Sequence, residues 1–353
     1  MSILYVYLGK KGGGQEFNRI MQDFYSRNLD EKTTFLNTEL NINSHNAAES
    51  KNNVLKIYTP NNILNLIRYL KDVVNFYSSV RTGKINIDKV VILMMSPWDY
   101  PFIRMCKFFK KEIILIVHDV YPHPGEIWPF KQSIAKRISM SSKLVFLSDT
   151  VYSKYCDNFQ NNEIKKTLVT PHPTFELGRK IIDENRVSYE KEYVLFVGRI
   201  SKYKGIDTLI DAVISSTDNF KLLIAGSGKI KQVKNKRIVY INKWLSNEEI
   251  LELIYNARVV VFPYIEASQS GLLPIAMSLE KAIVVSDQPG LLEQTKNYGS
   301  LKVFKSGNSA KLREILEQVY SSDKGGTPIA NVGVKSELTE HYFASKLHHF
   351  VVN

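Results

Sequence analysis

Short runs of apolar and β-branched residues alternate along the chain with longer segments whose apolar positions recur every three or four residues. In the first half the short runs are SILYVYL (2–8), KTTFLNT (32–38), KVVILMM (89–95), EIILIVHD (112–119) and KLVFLSD (143–149). The periodic segments between them include EFNRIMQDFYSRN (16–28) and NILNLIRYLKDVVNFYSSV (62–80). This alternation predicts βαβ units and a mostly parallel sheet with helices on both faces. The polar stretch NTELNINSHNAAESKNN (37–53) reads as a long loop.

The pattern breaks at KKTLVTPHPTFELG, where prolines intervene, and a polar, charged stretch leads to a second series. Its predicted strands are EYVLFVG (192–198), FKLLIAG (220–226), RIVYIN (237–242), RVVVFPY (258–264) and KAIVVSD (281–287). IDTLIDAVISS, NEEILELIYNA and LLPIAMSLE are the helices between them. The fold class expected is therefore α/β, with two Rossmann-like doubly wound domains, 1–175 and 190–336, facing across a cleft. Ligands in such sheets bind beyond the carboxyl ends of the strands. The final segment, about 337–353, is amphipathic and opens on a serine, with the option of packing back on the first domain.

Composition changes this picture little. The 353 residues are 44% hydrophobic and 23% charged, which describes a globular chain. The apolar runs fall short of the ~20 residues that span a bilayer. The N-terminus lacks the basic region and cleavage site of a secretory signal and reads as the first strand. Two cysteines, Cys106 and Cys156, have neither a disulfide nor a metal-ligand pattern, so a cytoplasmic setting is expected.

The net charge of +12 asks for an anionic partner: nucleic acid, an anionic membrane surface or phosphorylated small molecules. Basic residues mix with aromatic and aliphatic ones in IRMCKFFKKE and WPFKQSIAKRISMSSK, a pattern suited to anionic headgroups. No nucleic-acid motif is present, and nucleic acid is not expected as a partner.

Two stretches carry candidate chemistry in the second series. In VLFVGRISKYKG (194–205) an apolar strand ends at Gly198, where a ligand can approach the backbone. Arg199 can fork two hydrogen bonds to phosphate oxygens, and Lys204 adds a point charge. Together they can neutralise a diphosphate leaving group without a metal. In FPYIEASQSGLLPIAM (262–277) a strand passes through a small-residue turn into a helix, so the amides of Ser270, Gly271 and Leu272 are expected as open donors for an anion. Surface charge at a strand end and a serine-capped helix are the plain alternatives.

In this order, VLFVGRISKYKGIDTLIDAV, LLIAGSG, NKWLSNEEILELIYNARVVVFPY and SGLLPIAMSLEKAIVVSDQPGLLE resemble the donor half of retaining family-4 glycosyltransferases, which have the GT-B fold. The resemblance implies that Arg199 and Lys204 hold the donor diphosphate, with Ser270, Gly271 and Leu272 receiving its phosphates. It places Gly226 and Gly228 under the nucleotide, and Trp244 and Leu245 against the base. Glu249 matches no such role and reads as a capping-region charge. The family carries two glutamates seven residues apart in the last turn. Here Glu266 lies slightly early and Ile275 or Ala276 stands where the second belongs, leaving Glu266 or Gln269 for the donor sugar.

In the first half, IVHDVYPHPGEIW places His118 at a strand end, where the family often has a histidine near the donor sugar. Asp119, His123 and Glu126 follow, and a carboxylate there can accept the acceptor's proton. Gly13 and Gly14, in GKKGGGQEF, sit in a loop near the acceptor entrance, and Ser148 with Asp149 is read equally as acceptor contact or helix cap. No Asp-X-Asp triplet occurs, so neither metal nor cofactor is expected beyond the nucleotide-sugar substrate.

The function implied is retaining transfer of a hexose-type sugar from a nucleotide diphosphate to a glycan or polyprenyl-diphosphate-linked acceptor. Bacterial surface polysaccharide or lipopolysaccharide synthesis, with the enzyme peripheral on the inner membrane face, is the setting such enzymes often have. A nucleotide-sugar epimerase of the same fold and a non-catalytic basic binding protein are the alternatives.

Overall fold

The structure, a computed structural model, describes residues 1–9, 13–27, 32–38, 53–121, 131–159, 165–173, 193–296, 298–321 and 339–353. The chain divides into two units. The first contains the chain up to Tyr121, the segment ending at Pro171 and Glu340–Asn353; the second contains His172–Thr339.

The first unit runs β1 (Ser2–Tyr7), α1 (Gly13–Arg27), β2 (Lys32–Thr38), β3 (Asn53–Ile57), α2 (Ile63–Arg81), β4 (Lys89–Ile92), α3 (Tyr100–Phe108), β5 (Glu112–Val117), α4 (Lys131–Met140), β6 (Lys143–Phe146), α5 (Asp149–Asn158) and β7 (Lys166–Val169). Its sheet is parallel throughout, in the order β3-β2-β1-β4-β5-β6-β7. The second unit runs β8 (Tyr193–Val197), a 3-10 turn (Lys202–Lys204), α6 (Ile206–Ser215), β9 (Leu222–Ala225), β10 (Ile238–Ile241), α7 (Asn247–Asn256), β11 (Ala257–Phe262), α8 (Leu273–Ser278), β12 (Ala282–Ser286), α9 (Pro289–Gln294), β13 (Leu301–Phe304) and α10 (Ser309–Ser321). Its parallel sheet has the order β10-β9-β8-β11-β12-β13.

Both units thus show the doubly wound arrangement, and each reverses its strand order once, between β1 and β4 and between β8 and β11. The inner strands β1, β8 and β9 are buried along their whole length, as strands covered on both faces must be. Three strands escape the hydrophobic pattern: β3, β7 and β13. All three are edge strands, and β7 and β13 are mostly half-buried or exposed, so they lack the apolar run that reveals an inner strand. Among the described residues no helix is long and apolar enough to cross a membrane.

The last helix, α11 (Glu340–Val352), belongs to the first unit and packs on α1. Arg19 is paired with Glu340, Phe343 meets Phe17 edge-on at 5.2 Å, and the Tyr25 hydroxyl lies 2.7 Å from His348 Nδ1. Its last carbonyls would otherwise lack partners. Lys89 Nζ donates to the carbonyls of Val351 and Val352, and Lys143 Nζ donates to that of Phe350. Both lysines also pair with Glu112, holding its carboxyl below the usual range against the effect of burial.

Candidate functional site

The strand order of the second unit reverses between β8 and β11, and the two motif stretches run on from the carboxyl ends of these strands, where ligands of such sheets bind. After β8, residues 198–200 continue alongside the loop after β9. Gly198 N donates to Ala225 O at 2.9 Å, and Ile200 N donates to Ser227 O at 2.9 Å. The two backbones are so close that a Cβ on Gly226 would lie 1.8 Å from Gly198 O, and one on Gly228 would lie 2.0 Å from Ile200 O. Gly226 also has φ of 141°, outside the range of L side chains. These glycines therefore have a packing reason independent of any ligand. Asn242 closes the same corner, accepting from Gly228 N and donating to Gly228 O.

The backbones of the two stretches run close together. Ile265 N donates to Tyr203 O at 2.7 Å, and a Cβ on Gly198 would sit 3.2 Å from Leu272 Cδ1. Gly205, at φ 64°, passes so near Pro263 O that a Cβ would approach it to 1.8 Å.

Two tyrosines hold the cations. Arg199, itself exposed, donates from Nη2 to the Tyr203 hydroxyl at 3.0 Å. Lys204 Nζ lies 3.6 Å from the centroid of the Tyr264 ring and 5.0 Å from that of Tyr203. A cation at this distance over a desolvated ring gains roughly 1–2 kcal/mol, enough to bias the orientation of a flexible lysine. Tyr264 is fully buried, which raises its hydroxyl pKa, and its hydroxyl lies 3.1 Å from Ser270 Oγ.

Ser270 corrects one expectation. Its amide is not an open donor: Ser270 N donates to Gln294 Oε1 at 2.7 Å, and Gln294 Nε2 returns a bond to Ser270 O at 3.2 Å. Gln294, at the end of α9, clasps the turn from 24 residues away. Gly271 and Leu272 follow, half-buried, and Leu272 is the N-cap of the six-residue helix α8, which has Pro274 in its first turn.

Glu266 and Gln269 lie half-buried in the turn after β11, and the Gln269 Oε1 atom is buried without a hydrogen-bond partner. Trp244 is exposed and Leu245 buried, in the segment between β10 and α7. Glu249 forms a capping box with Ser246 at the start of α7 and pairs with Lys243.

The first unit equips its own reversal differently. His118 follows β5, and its Nε2 lies 2.9 Å from Leu93 O, just beyond β4. A carbonyl only accepts, so Nε2 carries the proton. Burial lowers the imidazole pKa, favouring the neutral ring, whose other nitrogen can then only accept. The edge-on contact with Phe17, 5.1 Å between centroids, fixes the ring plane. Asp119 is half-buried beside it; His123 and Glu126 lie outside the described residues. Gly13 and Gly14 are not in a loop as expected but form the start of α1, and Gly14 lies against the Tyr7 ring, where a Cβ would come within 2.1 Å of Cε2. Ser148 is the N-cap of α5, accepting from Val151 N, so it performs the capping role.

Below this end runs a buried ion pair that sequence patterning missed. Arg137 Nε donates to Asp99 Oδ1 at 2.7 Å, Arg137 Nη2 donates to Ser96 O, and Asp99 Oδ2 accepts from Ser96 N at 2.6 Å. Burial pushes the Asp99 carboxyl up to about 6 against the pull of Arg137 and the Ser96 amide. Arg137 and Lys143 are thus interior, and WPFKQSIAKRISMSSK is not the continuous basic surface its composition implies.

Comparison with known proteins agrees with this architecture. Residues 179–328 match the family described as "Glycosyl transferases group 1". An uncharacterized glycosyltransferase of Methanocaldococcus jannaschii is 26% identical over 178 residues, 44% of this chain and 45% of that protein, so the match spans about half the relative's length. The sucrose-phosphate synthase of Thermosynechococcus elongatus has a TM-score of 0.68 at 12% identity, covering 99% of this chain and 94% of that one. The Anabaena protein HepE, solved with UDP-glucose, gives 0.67 at 13% identity, covering 98% and 95%. The UDP-GlcNAc 2-epimerase of Methanocaldococcus jannaschii gives 0.62 at 12% identity, covering 99% and 100%. The fold is therefore that of GT-B proteins across the whole chain.

Proposed function

We propose that this protein transfers a sugar from a nucleotide-diphosphate donor to a glycan or lipid-linked acceptor. The observation that carries the reading is the pair Arg199 and Lys204, set by Tyr203 and Tyr264 at the strand-order reversal of a glycosyltransferase domain. Bond cleavage at the anomeric carbon leaves negative charge on the diphosphate. Cations already oriented there stabilise that charge with little reorganisation, so no metal is needed in this reading. The turn Ser270–Leu272 completes the phosphate site through Gly271, Leu272 and the Ser270 side chain. Glu266 and Gln269 face the sugar hydroxyls, and the glycine pair 226 and 228 with Trp244 and Leu245 receives the nucleoside.

The finer assignments rest on resemblance: a hexose-type sugar, retention at the anomeric carbon, a lipid-linked acceptor at the inner membrane face and a role in surface polysaccharide synthesis. His118 and Asp119 are assigned to the reacting end, with the neutral imidazole as acceptor at Nδ1. An epimerase shares the fold, as the M. jannaschii 2-epimerase illustrates, but the family match over residues 179–328 favours transfer.

A thermal-shift series with UDP, GDP, ADP and CMP, with and without EDTA, tests the site. One nucleoside diphosphate should stabilise the fold by several degrees, persist in EDTA and lose its effect in Arg199→Ala. No shift with any nucleotide, or a shift unchanged in Arg199→Ala, overturns the site. With the UDP-sugar or GDP-sugar identified by that series, nucleotide release that depends on added acceptor separates transfer from epimerisation.

A further inference from the structure

Helix α2 has two apolar faces, and only one of them is needed by the core. Tyr69 and Phe76 are buried in the core of the first unit, with Val73 and Val80 packed beside them. Ile63, Ile67, Leu70 and Val74, spaced three or four residues apart, form a separate stripe along the same helix. Each is between 53% and 79% exposed. The stripe continues onto the next helix: Tyr77, one turn beyond Val74, meets Phe108 at 6.3 Å and Phe109 at 5.1 Å between ring centroids. Phe108, at the end of α3, is itself 70% exposed.

The charge around this stripe has one sign. Exposed Lys71 and Arg81 lie beside it on α2, with Arg68 further round the helix, exposed Arg104 and Lys107 on α3, and exposed Lys110 just after it. The two helices carry a single carboxylate, Asp72, which accepts the Tyr58 amide. At 100° per residue it points away from the line of 63, 67, 70 and 74.

An apolar stripe of four exposed residues along α2 that reaches Phe108 at the end of α3 exceeds the scattered single apolar residues ordinary on a monomer surface, and contiguous patches of this kind mark interaction sites. Apolar side chains bordered by Lys and Arg, with no acid among them, match a surface whose interior is hydrocarbon and whose headgroups are anionic. A second copy of the chain would bring the same cations face to face. Nucleic acid would meet the cations and leave the stripe unused.

We infer that the α2 stripe with Phe108 is the face by which this protein docks on an anionic lipid surface. The inference deepens the acceptor side of the proposed function and rests on that reading for the identity of what the membrane carries; the docking itself does not involve the donor site.

Co-sedimentation with vesicles tests it, using phosphatidylcholine alone and phosphatidylcholine mixed with phosphatidylglycerol, on the wild type and on Ile67→Glu/Val74→Glu. Both positions are exposed, so the variant should keep the wild-type melting temperature. The wild type is expected to bind the phosphatidylglycerol vesicles and much less the neutral ones. The variant should bind about ten-fold more weakly or worse. Wild type that ignores anionic vesicles, or a variant that binds them equally, overturns the inference. A self-association seen by sedimentation velocity and lost in the variant, without vesicle binding, assigns the stripe to a second copy and also overturns it. The variant should retain the nucleoside-diphosphate shift that Arg199→Ala loses. Failure of that shift in the wild type counts against the donor site while leaving the vesicle result readable.

Discussion

The two units share one strand order around their reversal points and put the cationic side chains there to different use. In the second unit, Arg199 is exposed beyond β8 and Lys204 is half-buried against Tyr264. In the first, the arginine at the corresponding end is consumed within the protein: Arg137 is buried against Asp99 and fixes the Ser96 loop. A doubly wound sheet thus provides a location, and the surrounding side chains decide whether charge there serves a ligand or the fold.

The largest effect that would sharpen this contrast comes from backbone packing. Gly226→Ala places a methyl 1.8 Å from Gly198 O at φ 141°, whereas Gly83→Ala, at φ 74° after α2, meets nothing within 4 Å. Strain and overpacking together predict a loss of about 3–5 kcal/mol for Gly226→Ala. The unfavourable backbone region alone predicts about 1 kcal/mol for Gly83→Ala. Urea melts of both variants measure the difference. Equal losses would mean that the crossing of residues 198 and 226 relaxes freely and does not hold the site rigid.

Next come the two arginines. Arg137→Met leaves Asp99 buried without its countercharge and should cost about 3–5 kcal/mol. Arg199→Met should change stability by no more than about 0.5 kcal/mol and weaken nucleoside-diphosphate binding roughly ten- to hundred-fold. Interchanged results, with Arg199 sustaining the fold and Arg137 the binding, would reverse the comparison.

Asp99 adds a pH signature in the same region. The folded protein holds its proton up to about 6, while the unfolded chain releases it near the ordinary 3.8. Stability from this group is therefore present at low pH and is lost as pH rises between those values. Asp99→Asn should remove that part of the slope in melts recorded across the interval. An unchanged slope would show that the carboxyl titrates at its ordinary value despite burial.

How much of this was legible follows from sequence distance and exposure. The inner strands were readable because burial on both faces demands continuous apolar runs, as in EIILIV and YVLFV. The edge strands β3, β7 and β13 were not, since one side of each lacks a neighbouring strand and relaxes that demand. Gly198, Arg199, Lys204 and Gly205 stand within eight residues and announce themselves as a group. Their supports do not: Gln294 clasps Ser270 from 24 positions away, and Arg137 meets Asp99 across 38. Arg137 and Lys143 look like surface charges in a linear reading, and only folding shows which basic residues remain outside.

The finest distinction concerns Tyr203. Its hydroxyl accepts the Arg199 Nη2 hydrogen, while its ring lies 5.0 Å from Lys204 Nζ. Tyr203→Phe keeps the ring and removes the acceptor, so the burial and the cation contact persist while the guanidinium loses one tether. Since Arg199 is exposed, water can replace that bond, and stability should stay within about 0.5 kcal/mol of wild type. A loss of about 1 kcal/mol in nucleoside-diphosphate affinity, roughly five-fold, is expected if the tether pre-orders the guanidinium for phosphate. Titration calorimetry with the nucleotide chosen by the thermal-shift series measures it. Unchanged affinity would show that the strand end alone orients Arg199, leaving Tyr203 to act on Lys204 only.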